Sequence, residues 1–190
     1  MTIDTHTAHF HIRTVTAADK DIYMPLRAET SDISATCGIT PEYMETMWKS
    51  VINSENEIDM VVFKGDTFVA ICNFQDFAGD HVEIGYDVVK EYRRQGIGKT
   101  LAADLVSIAH RTFPDKEVLI SVREENIPSW HIAERCGGVL IRREPTPEAA
   151  ITQRMLEEYG TGNAFSEEEL AGMRDLVEQG KEGIRVYRML

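Results

Sequence analysis

Apolar and polar positions alternate in some blocks of the chain and recur every three or four residues in others. Phe10-His11-Ile12-Arg13 alternates and predicts a short first strand. Thr16-Ala17-Ala18-Asp19 opens a helical stretch with Thr16 as its N-cap, and the polar segment from about 30 to 38 reads as a loop. Thr40-Pro41-Glu42 pairs an N-cap hydroxyl with proline at the first helical position. Tyr43, Met44, Met47, Trp48 and Val51 then follow at helical spacing, which predicts a helix to about Asn53. Ile58 to Phe63 and Thr67 to Phe74, joined by Lys64-Gly65-Asp66, form a hairpin. His81 to Val89 is a strand with Val82, Ile84, Tyr86 and Val88 on one face.

From Gly96 to Phe113 the period becomes helical, with Leu101, Leu105, Ile108 and Ala109 as the apolar stripe. Glu117 to Val122 is a strongly apolar strand. Ser129 to Cys136 is a short helix ended by Gly137-Gly138, and Val139 to Arg143 is another strand. Pro145 to Tyr159 and Ser166 to Gln179 predict two helices joined by residues 160–163, the second opened by a Ser166–Glu169 capping box. Gly183 to Leu190 closes the chain as a strand. The order is mixed α/β, with seven strands and an antiparallel first half.

A chain of 190 residues with 43% hydrophobic side chains suits one domain and needs no disulfide or metal staple. Thirty-two acidic against 20 basic side chains give a net charge of −12, which weighs against nucleic acid and anionic membrane as partners. Cys37, Cys72 and Cys136 are widely spaced and form no Cys-x-x-Cys pair, so reduced thiols in a cytoplasmic protein are expected. Met1 to Arg13 shows no secretory signal, and no window approaches a membrane span. His6, His9 and His11 read as imidazoles scattered on an N-terminal strand rather than as a metal cluster.

The informative stretch runs from Tyr86 to Leu101: a strand ends, two glycines occupy the turn and a helix begins. Free N–H groups at a helix start attract anions, and glycine lets a phosphate approach the backbone. Lys90, Arg93, Arg94 and Lys99 make the stretch a basic island in an acidic chain. Gly98-Lys99-Thr100 ends like a Walker A loop, but the first glycine of that motif would fall on Arg93. Gly96 and Gly98 begin a dinucleotide fingerprint whose third glycine would be Leu101. Arg93-Arg94-Gln95-Gly96-Ile97-Gly98 satisfies a third pattern, [RQ]-x-x-G-x-[GA], in full.

That hexapeptide resembles the pyrophosphate loop of the GNAT superfamily of acyl-coenzyme A-dependent N-acyltransferases. The upstream strand Val82–Val89 and the downstream Asn126-Ile127-Pro128-Ser129, followed by a short helix and glycine, resemble the superfamily's other signatures. The resemblance covers about Ile12 to Arg143 plus the last strand and is specific over 82–141. It implies a mostly antiparallel seven-stranded central sheet with flanking helices. It also implies one acyltransferase domain over 1–190, with residues 145–182 as an acidic two-helix insertion before the last strand.

The implied reaction moves an acetyl group from acetyl-CoA to a primary amine of a small molecule or peptide, by direct attack and without a metal. The backbone at Val88 and Val89 would pair with pantetheine and polarise the acyl carbonyl. Arg93, Arg94, Gln95, Gly96, Ile97, Gly98 and Lys99 would cradle the pyrophosphate, and Asn126 and Ser129 would contact the far part of the cofactor. Glu83 is the expected base. The tyrosine that often serves as general acid is replaced by Ala133, which leaves Ser129, His131 and Cys136 as substitutes, with His131 as the candidate acid. That departure keeps open a non-catalytic acyl-CoA sensor or scaffold.

Tyr43, Met47 and Trp48 read mostly as core, and Tyr187 likewise. Residues 144–183 hold ten acidic and three basic side chains, a net of −7, so an insertion that both covers the acceptor site and builds a homodimer interface would favour a cationic amine.

Overall fold

Local signals set most element boundaries in the computed structural model, which describes residues 1–30, 40–160 and 164–190. Cys37, most of the predicted 30–38 loop and most of the 160–163 linker lie outside the described residues. The chain forms two compact units, Met1–Leu119 and Ile120–Leu190. The strand order is β1-β2-β3-β4-β5-β6-β8-β7, and β6 runs through the division between the units.

In the first unit the elements are β1 (Asp4–His6), β2 (His11–Thr14), α1 (Lys20–Thr30), α2 (Pro41–Asn53), β3 (Glu57–Lys64), β4 (Thr67–Gln75), β5 (His81–Val88) and α3 (Ile97–Thr112). The first residues of β6 (Glu117–Arg123) complete it. Strands β1 to β5 pair antiparallel in chain order. Crossover through α3 makes β5 and β6 parallel, as a strand–helix–strand unit requires. Strand β1 was not foreseen, so among the described residues the strands number eight rather than seven. Its three residues are polar and too few to show an alternation.

Thr16 does not cap α1 directly. It opens a 3-10 turn, Ala17–Asp19, in which Thr16 N–H and Oγ1 both donate to Asp19 Oδ2. Both terminal guanidinium nitrogens of Arg13 donate to Asp19 at 2.7 Å. Thr40 accepts from the Tyr43 amide and caps α2 as its sequence predicts. Helices α1 and α2 cover the sheet with Tyr23, Met24, Leu26 and Trp48 against Val15, Val61 and Ile71. Helix α3 buries Ile97, Leu101, Ala102, Leu105, Val106, Ile108 and Ala109.

The second unit holds the rest of β6, α4 (Ile127–Arg135), β7 (Val139–Glu144), α5 (Pro147–Tyr159), α6 (Glu167–Gly180) and β8 (Ile184–Met189). Helix α4 begins two residues before the predicted Ser129, because Asn126 accepts from the Ser129 amide and caps it. Helix α5 begins at Pro147 rather than Pro145, because Thr146-Pro147 repeats the cap-then-proline signal of Thr40-Pro41. The Thr146 amide donates to the Gly180 carbonyl at 2.9 Å, which ties the start of α5 to the end of α6. Arg143 and Arg185 both grip Glu124. Tyr187 is fully buried, in keeping with its reading as core. No helix among the described residues is long and apolar enough to cross a membrane.

Candidate active site

The basic loop forms where β5 stops. Val89 donates its amide to Val69 O, Lys90–Tyr92 makes one 3-10 turn, and Gly96 caps α3. Gly96 has φ +82°, the left-handed region that glycine enters without strain. Arg94 also lies there, at φ 61°. The first bond within α3 runs from Thr100 N–H to Gly96 O, so the amides of Ile97 and Gly98 precede the helix's own ladder and point out of its start. Those amides and the positive end of the helix dipole suit an anion.

Side chains around the loop divide into two sets. Arg93 turns back, with Nε donating to Val88 O at 2.8 Å and a terminal nitrogen reaching Glu29 at 3.2 Å. Gln95 donates its side-chain amide to Glu91 O at 2.8 Å. Arg93 and Gln95 thus shape the loop, while Arg94 and Lys99 are exposed cations beside it. Among the described residues β5 pairs with β6 only over His81–Glu83. The other side of β5 pairs with β4 as far as Val88.

Glu83 lies in register between Gln75 and Leu119 and is half-buried. Its neighbours form a polar patch that sequence reading did not assemble. Asp59, Asn73 and Gly85 are in register across β3, β4 and β5, and Glu57, Gln75 and Glu83 form the next row. Any side chain at position 85 would strike Asn73, since a Cβ there would lie 2.3 Å from Asn73 Oδ1. Asn73 donates to Glu57 and Tyr23 donates to Asp59.

A pocket of about 120 Å³ opens over this patch, lined among others by Tyr23, Arg27, Asn73, Gln75, Tyr86 and Asp87. Asp87 accepts from Thr30 Oγ1 at 3.0 Å, and burial pushes its carboxyl above the usual range. The signal for this patch was present as polar breaks, Asp59 and Asn73, inside apolar strands.

In the second unit, Asn126 is occupied as the cap of α4, and Ser129 supplies the amide that it accepts. His131 is exposed, 3.7 Å from Glu134, with its ring 3.8 Å from that of Trp130. Ala133, at the position of the missing tyrosine, is buried.

A family model described as an acetyltransferase (GNAT) domain matches residues 8–139. The chain belongs to the GNAT acetyltransferase family. It is an acetyl-CoA-dependent enzyme that transfers acetyl to an amine, as the 93–98 loop implied. No curated protein matches it by sequence.

Similar solved structures include a spermidine N-acetyltransferase from Vibrio cholerae in complex with CoA and spermine. It is 15% identical, with a TM-score of 0.63 over 96% of this chain and 95% of that one. The same organism's spermidine/spermine N-acetyltransferase with manganese ions is 14% identical, with a TM-score of 0.63 over 96% and 93%. A putative ribosomal-protein-serine acetyltransferase from Vibrio cholerae is 16% identical, with a TM-score of 0.60 over 99% and 97%. These likenesses show the fold, a mixed sheet flanked by helices.

Proposed function

We propose that the acceptor is a cationic primary amine of a small molecule, received over the acidic face of β3–β5 beneath α1. The observation that carries this reading is Asp87, set into a pocket wall with Asn73 and Gln75, while Glu57, Asp59 and Glu83 share the same sheet face. Four carboxylates there face one lining cation, Arg27. A partly desolvated carboxylate attracts an ammonium more strongly than one in water. Similar structures named for spermidine and spermine acetylation add weight to a cationic acceptor. The acidic α5–α6 segment strengthens the same preference through its net charge of −7 over 144–183.

In this reading the amides of Arg94 to Lys99 hold the pyrophosphate, with Arg94 and Lys99 adding charge. Pantetheine runs along the β5 edge at Val88 and Val89. Asn126 and Ser129 contact the far part of the cofactor. The amine must lose a proton before its lone pair attacks the thioester carbonyl, and Glu83 takes that proton through water. The tetrahedral oxyanion is stabilised by a backbone N–H near Val88. The attacking nitrogen then gives its extra proton to water as the C–S bond breaks and the coenzyme A thiolate leaves, with His131 as the side chain offered for the thiolate's protonation. The exposed edge strand β7, with Val139, Leu140 and Ile141 open to solvent, is the face proposed for a homodimer.

The test is steady-state kinetics on a panel of cationic and neutral amines, followed by free thiol. Asp87→Asn is expected to raise KM for cationic acceptors about tenfold while leaving coenzyme A affinity unchanged. Equal loss for neutral and cationic amines would remove the acidic face from the account.

A further inference from the structure

The hairpin of β1 and β2 carries chemistry that acetyl transfer does not use. Thr7 and Phe10 close a tight turn through the Thr7 amide and the Phe10 carbonyl at 2.8 Å. The next pair outward, His6 and His11, is directly opposite in register. Asp4 lies two residues before His6 on the same strand, hence on the same face. The two imidazoles stack with centroids 4.1 Å apart and planes 4° from parallel. Asp4 Oδ1 and His11 Nε2 are 2.8 Å apart. One donor atom from each of Asp4, His6 and His11 lies within 4.8 Å of the others. His9 is on the turn and is not part of this group.

Two ligands at about 2.0–2.2 Å from one ion sit roughly 3 Å apart when adjacent. Asp4 and His11 already have that spacing. Coordination lies in the plane of an imidazole, so the stacked rings must swing out of their parallel arrangement for both to point at one ion. The terminal torsion of histidine is broad, and both side chains reach solvent, so that rotation is open to them. Arg13, opposite Asp4 in register, is the cation facing this group. Its guanidinium is held by both oxygens of Asp19 and lies over the Phe63 ring, so Asp4 remains directed at His11.

The geometry points to a surface site for a borderline transition-metal dication, of the Zn2+ or Ni2+ kind, made by Asp4, His6 and His11. Two imidazoles and one carboxylate suit such ions far better than Mg2+ or Ca2+. Water would complete the coordination. Because β1 is the outermost strand among the described residues and pairs there with β2, a bound ion would staple it to the sheet.

Calorimetric titration of the chelator-treated full chain with NiCl2 tests this. Saturable binding of one ion per chain is expected, together with a rise in melting temperature. His6→Ala and His11→Ala are each expected to weaken binding about tenfold or more, with His9→Ala unchanged. Circular dichroism checks that each variant stays folded, and His6→Asn repeats the test with a polar replacement. Failure to saturate, an undiminished affinity in the His6→Ala/His11→Ala double variant, or equal binding of MgCl2 would overturn the proposal.

Discussion

Asp59 offers a test of how burial is balanced on the acidic face. It is 2% exposed. Oδ1 accepts from the Tyr23 hydroxyl, whereas Oδ2 is buried with no hydrogen-bond partner among the described residues. Burial pushes its pKa from 3.8 to about 6, and nearby Glu57 adds to the rise, while the Tyr23 hydrogen bond and Arg27 oppose it. Below about 3.8 the carboxyl is neutral in both folded and unfolded chains and imposes no penalty. Between there and 6 the unfolded chain ionises first, so stability falls as pH rises. Above 6 the full cost is present, about 3 kcal/mol for a displacement of this size.

Asp59→Asn stays neutral at every pH and keeps an oxygen for Tyr23. Its amide nitrogen takes the unpartnered position, at a cost of about 1–3 kcal/mol that does not depend on pH. Urea unfolding of both proteins across the acid-to-neutral range isolates Asp59, because every other titrating group is common to the pair. The stability difference is expected to move in favour of the variant by about 2.5 kcal/mol between roughly pH 4 and pH 7. A difference that stays flat within about 0.5 kcal/mol, or that moves the other way, would refute the reasoning.

Three further outcomes follow from the same structure. Hydrogen bonds from Arg13 hold Asp19 at a pKa of about 2, so its contribution is present above 3.8 and is lost as pH falls through 2; Asp19→Asn is expected to cost about 2 kcal/mol at neutral pH in urea melts, with the cost vanishing in acid. Gly96→Val places a branched side chain at φ +82° and should cost roughly 1–2 kcal/mol while weakening coenzyme A binding; Gly96→Asn, which tolerates that backbone, should recover stability but not affinity, as differential scanning and calorimetry would show. Asn126→Ala should lose about 1 kcal/mol with its cap, whereas Asn126→Asp keeps the cap and should change only coenzyme A affinity if Asn126 meets the cofactor.

Legibility followed the range of the interaction. The α3 stripe was readable because one helix face is set by residues a few positions apart, and Leu101, Leu105, Ile108 and Ala109 are all buried. Starts of α4 and α5 were misplaced by two residues, since each is decided by a single cap, Asn126 or Thr146. The roles of Arg93 and Gln95 were only partly legible. Both belong to the loop, yet their side chains bond to Val88 O and Glu91 O, which spacing alone does not reveal.

By itself the sequence determined the glycine loop at 93–98 and, through its resemblance, the family. Strand, glycine turn and helix start are contiguous there, so their backbone geometry is encoded within about a dozen residues. Tertiary structure alone decided the acidic face and the Asp4–His6–His11 group. Asp59, Asn73 and Gly85 are adjacent only because three strands pair in one register, and a slip of one residue would turn each to the opposite face. Register depends on packing against α1 and α2 and on turn geometry, so chemistry spread across strands appears only once the sheet is built.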